Sequence, residues 1–106
     1  MLEQDKQSKV RKHVKKRGGF SVKVIRASEA GCPDLICCIP IEITQDMVGR
    51  TIGVFVAAEM KRSYKENPSE IQEVRIEQIK AAKGLAGVVV EVSDFEDLMR
   101  TIEEIH

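Results

Sequence analysis

The chain has 106 residues, 42 % hydrophobic and 32 % charged, with 17 basic and 17 acidic side chains. That length suits a single domain over residues 1–106 with one modest core, and no apolar run nears the ~18 residues that suggest a membrane span. The basic N-terminus MLEQDKQSKVRKHVKKR has no apolar segment behind it, so it does not read as a secretory signal, and a cytoplasmic location is expected.

Residues 3–17 lack Gly and Pro and end at Gly18-Gly19, which predicts a helix with a glycine stop. Its stripe of Glu3, Gln7, Val10 and Val14 is polar at one end and apolar at the other. The segment 20–26, FSVKVIR, alternates like a strand. A loop over 27–33 leads through Gly31-Cys32-Pro33-Asp34 into a second strand, 34–39, closed by Pro40. The segment 51–61, TIGVFVAAEMK, predicts a third strand, central because both its faces are apolar. Ser69, with Gln72 three residues on, matches a capping box and predicts a helix to Gly84. Residues 86–92 predict a last strand. Ser93-Asp94 would cap a final helix with the stripe Phe95, Leu98, Met99, Ile102 and Ile105. The order is α-β-β-β-α-β-α.

Cys32, Cys37 and Cys38 are odd in number and lack zinc-ligand spacing, with His13 and His106 far off in sequence, so they read as reduced thiols. Basic residues crowd positions 1–26 and acidic ones positions 91–106. Such a basic stretch attracts polyanions, or equally forms a solvated helix face.

Glu59-Met60-Lys61 would project an acid and an ammonium from one face of a strand. Alone, the triplet is an ordinary strand-end ion pair, worth ~1 kcal/mol at most. Taken with Pro33-Asp34 opening an earlier strand, the polar-ended first helix and the later helix-strand unit, it resembles the PD-(D/E)xK nuclease superfamily. The closest resemblance is to the stand-alone, phage-type virus-type replication-repair nuclease (VRR-NUC) domain. Nearly the whole chain carries it: the Glu3 helix ending in KKRGG, the Lys of SVKV, Gly31-x-Pro33-Asp34-Leu35, hydrophobic-Glu59-x-Lys61, Ser69-x-x-Gln72 and AAKGLAG.

The resemblance implies an α/β fold with a restriction-endonuclease-like αβββαβ core, a central mixed sheet flanked by helices. It implies a metal-dependent DNA endonuclease using Mg2+ or Mn2+ and no organic cofactor, in a bacterial or phage-infected cell. Asp34, Glu59 and the Met60 backbone carbonyl would hold the cation, with Glu3 reaching it from the first helix, although Gln7 one turn later is the other residue that could face it. Lys61 would orient or help deprotonate the attacking water, and Gln72 would contact water or phosphate; Gln72 could equally be only a helix cap. Lys15, Lys16, Arg17, Lys23, Arg62 and Lys65 are candidate phosphate contacts, or solubilising charge.

The segment between Asp34 and Glu59, IPIEITQDMVGRTIG at 39–53, departs from the simplest family pattern. Ile41, Ile43, Met47 and Val48 would be exposed on a monomer, which suggests a dimer contact or a substrate-guiding flap. The expected partners are therefore structured DNA, such as four-way junctions or flaps, and a second copy of the chain. A catalytically silent nucleic-acid-binding module and an enzyme acting on small phosphate compounds are the other readings. Intact Asp34, Glu59 and Lys61 disfavour the first, and the lack of a Gly-rich nucleotide loop disfavours the second.

Overall fold

The computed structural model describes residues 2–103; Ile105 and His106 lie outside them. The protein is mixed α/β, in the order α1 (Glu3–Lys16), β1 (Phe20–Lys23), β2 (Leu35–Cys38), β3 (Val56–Met60), α2 (Glu70–Ala81), β4 (Leu85–Val89) and α3 (Val92–Glu103). A short 3-10 turn, Gln45–Met47, interrupts the excursion between β2 and β3. The expected order is the observed one. No described helix is long and apolar enough to cross a membrane.

α1 places Glu3 and Asp5 in its first turn and His13, Lys15 and Lys16 in its last, the polarity that complements the helix dipole. It ends as the paired glycines predict. Gly18 takes φ +81 and donates to the Lys15 carbonyl at 2.9 Å, while Gly19 donates to the Val14 carbonyl at 2.9 Å. These two bonds are a Schellman motif, which satisfies carbonyls that the helix end leaves open.

α2 closes in the same way with a different residue in the left-handed position. Lys83, at φ 70, donates to the Lys80 carbonyl at 2.9 Å, and Gly84 donates to the Ile79 carbonyl at 3.0 Å. Gly84 is needed for space: a Cβ there would lie 2.9 Å from both Cys38 Sγ and Ile79 Cγ2. A non-glycine residue in the left-handed region costs ~1–2 kcal/mol, part of which glycine returns as unfolded-chain entropy. Lys83→Gly is therefore expected to stabilise the protein by ~0.5–1 kcal/mol, read as a raised thermal midpoint of ~4–8 °C per kcal/mol; an unchanged or lowered midpoint contradicts it.

The strands form two pairs. β1 and β2 run antiparallel, with Phe20 opposite Cys38 and Lys23 opposite Leu35. β3 and β4 run parallel, with Val56 opposite Leu85 and Met60 opposite Val89, and α2 is the crossover between them. Among the described residues no backbone ladder joins β2 to β3, so a single central mixed sheet is not what is seen. β3 also pairs on one edge only, and it begins at Val56 rather than Thr51. The reason lies in its partner: β4 starts at Leu85, directly after the turn that closes α2, and offers nothing opposite residues 51–54.

The two pairs meet through side chains. The rings of Phe20 and Phe55 lie edge to face at 6.4 Å, and the Cys38 thiol reaches the Ala82 carbonyl at 3.6 Å. Burial pushes that thiol's pKa up, and all three cysteines are free. Val14, Cys38, Ile79, Ala82, Ala86 and Val89 are buried and form the core. Val74 and Ile71 of α2 are exposed.

α3 begins at Val92, one residue before the expected Ser93-Asp94 cap. The Asp94 carboxylate reaches back to accept from the N–H of Glu91 at 2.9 Å and of Val90 at 3.0 Å, and from the Tyr64 hydroxyl at 3.0 Å. The Glu91 and Val90 amides, and then the phenol, hold Asp94 below the ordinary carboxylate value of 3.8. Because the folded value is depressed, the stabilisation is present above pH 3.8 and is lost as pH falls through the folded value. Asp94→Asn keeps an acceptor for the amides without the titration. Acid titrations followed by circular dichroism should show the wild type losing its margin over the variant below pH 3.8; parallel curves would contradict this.

Candidate active site

The period of two in β3 puts Glu59 and Lys61 on one face, and the capping box at the start of α2 brings Gln72 to them. Gln72 Nε2 donates to Glu59 Oε1 at 2.7 Å. Its Oε1 accepts from Lys61 Nζ at 3.1 Å and from the Ser69 backbone N–H at 2.8 Å. The Ser69 hydroxyl in turn accepts from the Gln72 N–H at 3.3 Å, completing the box. The cap expected of Gln72 is formed, and the same amide bridges the acid to the lysine. Its orientation is determined: turned over, it would face a carboxylate with an oxygen and two donors with an NH2.

The Lys61 side chain is only 15 % exposed, against 32 % for Glu59. Lys61 Nζ lies 3.7 Å from Glu59 Oε1, an ion-pair distance too long for a hydrogen bond. The ammonium has thus committed one of its three donors, to Gln72, and is held in a fixed place with the other two to offer. A solvated strand-end pair would be more exposed and less constrained.

The β3–β4 ladder leaves an acceptor free beside this cluster. Leu85 N–H bonds the Phe55 carbonyl at 3.0 Å and Lys61 N–H bonds the Val89 carbonyl at 3.0 Å. A parallel ladder uses alternate residues, so 55, 57, 59 and 61 face β4, and the Met60 carbonyl points to the open edge of β3. Glu59 Oε2 also accepts no hydrogen bond among the described residues.

Asp34 directly precedes β2, its side chain exposed and its carbonyl accepting from the Val24 N–H at 2.8 Å. Gly31, at φ 80, makes the turn that delivers it. Glu3 is exposed in the first turn of α1, whereas Gln7 is half-buried, with an Oε1 that is covered and unpartnered. Of the two, Gln7 is the one turned toward the protein. Among the described residues no three His, Cys, Asp or Glu side chains form a group that could hold a metal, so Asp34, Glu59 and Glu3 are not gathered into one. Magnesium commonly uses one or two carboxylates and fills its shell with water and phosphate oxygens. The free oxygens of Glu59 and Met60 are hard donors of that kind, while the Asp34 carboxylate stands at the start of β2, on the other strand pair.

The candidate phosphate contacts divide by position. Lys16 and Arg17 finish α1, Lys23 ends β1, and Lys65 is exposed in the turn after β3. Arg62 is exposed and paired with Glu66 at 3.2 Å. Lys15 stands apart, lining a groove with Arg11, Lys12 and Arg75. Arg75 carries no motif, and Arg11 and Lys12 signal themselves only as part of the basic stretch. The chain matches no protein-family model, no curated protein and no solved structure.

Proposed function

We propose that the protein is a metal-dependent DNA endonuclease with a restriction-endonuclease-like core of the VRR-NUC kind. The observation that carries this reading is the Gln72 amide fixing a half-buried carboxylate and a largely buried lysine side by side at the end of β3.

Phosphodiester hydrolysis needs a positioned water, neutralisation at phosphorus and a stabilised leaving oxygen. A divalent cation, when bound, supplies Lewis-acid charge and a more acidic water. Asp34, Glu59 and the Met60 carbonyl would hold it. Lys61 Nζ, steadied by Gln72, directs a free N–H to the attacking water or to a nonbridging oxygen and meets the charge that develops there. Gln72 keeps that ammonium off the Glu59 carboxylate, so the two do not collapse into a closed salt bridge.

The excursion supports a second copy as partner. Ile41, Ile43, Val48 and Ile52 are 66–77 % exposed on one connected segment, while Met47 is half-buried. Apolar side chains so clustered mark a contact surface. Two paired sites would let a small nuclease engage branched DNA. Ile43→Glu is expected to turn a dimer into a monomer by sedimentation; a wild type that is monomeric at micromolar concentration rules the pairing out.

The test is cleavage of labelled four-way junction, flap, linear duplex and single-stranded DNA with magnesium, manganese or EDTA, beside Asp34→Ala and Lys61→Ala. Metal-dependent cutting of a branched substrate, lost in both variants, is the expected result. Binding without cutting under either metal would leave a silent nucleic-acid-binding module.

A further inference from the structure

A groove of about 570 Å³ opens between α1, the start of β1 and α2, away from Glu59 and Lys61. Its rim carries Arg11, Lys12 and Lys15 from α1 and Arg75 from α2, and no Asp or Glu lines it. Its floor is small and apolar, with Gly18, Gly19, Ala81 and Ala82. Three surface cations elsewhere have acidic partners, Arg62 with Glu66, Lys80 with Glu77 and Arg100 with Asp97. Among the described residues none of the four rim cations does.

Two of the four are fixed by neutral groups. Arg11 Nε donates to Ser21 Oγ at 3.1 Å and Nη2 to the Ser21 carbonyl at 3.4 Å, while Arg75 Nη1 donates to Gln78 Oε1 at 3.2 Å. These bonds orient each guanidinium and leave its charge unopposed. Four like charges around one concavity repel each other, and an anion in their midst removes that cost.

The groove shares helix α2 with the candidate active site. Arg75 and Gln78 follow Gln72 by three and six residues on α2, ~4.5 and ~9 Å of helix rise and turned from it by ~60° and ~120°. One strand of duplex DNA presents a phosphate every ~3.4 Å of axis. Resting on the nuclease reading, we propose that this groove grips the phosphodiester backbone of the DNA whose scissile phosphate lies at Lys61. An extended polyanion fits better than a single phosphate ion, because the cations are spread along two helices rather than converging on one point. The apolar floor would lie under the sugars. Such contacts position the strand and carry no base preference.

The experiment is fluorescence-anisotropy binding of a labelled duplex in EDTA, where no hydrolysis occurs, across a salt series. Lys12→Gln/Lys15→Gln/Arg75→Gln is compared with wild type and with Lys80→Gln/Arg100→Gln, which removes paired cations elsewhere. The groove variant should bind on the order of tenfold or more weakly, with a log–log salt slope shallower by ~2–3, since each lost phosphate contact contributes ~0.9. The control variant should match wild type, and all three should share one circular dichroism spectrum. Unchanged slope and affinity in the groove variant, or an equal loss in the control, overturns the proposal. So does full displacement of the duplex by inorganic phosphate at constant ionic strength, which would mark a single-ion site. Metal-dependent cutting with unaltered groove-variant binding sinks the groove and leaves the nuclease. Lost binding in the groove variant of a protein that never cuts sinks the nuclease and leaves the groove.

Discussion

Lys61→Met is expected to reduce DNA hydrolysis by on the order of 10²- to 10⁴-fold, the range over which a positioned acid–base group contributes, while the protein stays folded. The side chain is largely buried, so a methionine of similar length fills its place, and Gln72 Oε1 still accepts from the Ser69 N–H at 2.8 Å. Methionine lacks the fixed ammonium. Single-turnover cleavage measured beside thermal unfolding separates the two effects. A variant as active as wild type would mean that Lys61 is only an ion-pair partner. Gln72→Glu sharpens the result: a carboxylate can still accept from Ser69 and Lys61, so the cap survives, but it meets Glu59 with like charge. Activity should fall with little loss of helix α2.

Gly19→Ala is expected to give the largest loss of stability from the smallest change. A Cβ at this position would lie 2.6 Å from the Cys38 carbonyl oxygen, 2.9 Å from Val14 Cγ1 and 3.1 Å from the Val14 carbonyl oxygen. Two of these three neighbours are backbone, which cannot rotate away, so α1 must move off β2. Overpacking of this kind costs ~1–3 kcal/mol, a fall of ~4–8 °C in the thermal midpoint per kcal/mol for a domain near this size. Gly18→Ala makes a useful companion, since its Cβ would meet only Pro40 Cγ at 3.6 Å and its cost comes from φ +81. A Gly19→Ala protein as stable as wild type would show that α1 is free to shift against the sheet.

What the amino-acid order makes legible is chiefly what is local. The stop at Gly18-Gly19 and the Ser69–Gln72 box depend on residues a few positions apart, and both form as expected. Glu59 and Lys61 share a face because a strand's period is two. The length of β3 is different, because it is set by β4, and nothing in TIGVFVAAEMK records where a partner some thirty positions away begins. Lys83 in a left-handed turn hides for a related reason: the adjacent Gly84 looks like the turn residue, but it is the space beside Cys38 that demands glycine there. The Gln72 contacts are half legible, since the spacing announces the cap and says nothing of Glu59 or Lys61. The groove is the least legible feature, joining Arg11 to Arg75 across two helices.

The double engagement of Gln72 has a spectroscopic consequence. The Ser69 amide proton is bonded to the same oxygen that receives Lys61 Nζ, so it is a built-in reporter beside the Glu59–Gln72–Lys61 cluster. Its nitrogen–proton resonance should shift when a cation or a DNA phosphate draws Lys61 away, because the shared oxygen then polarises toward a single donor. In Lys61→Met the resonance should sit near that ligand-bound position from the outset. Titrating the wild type with magnesium, and then with uncleavable DNA, would let one backbone signal record in solution the order in which the site fills.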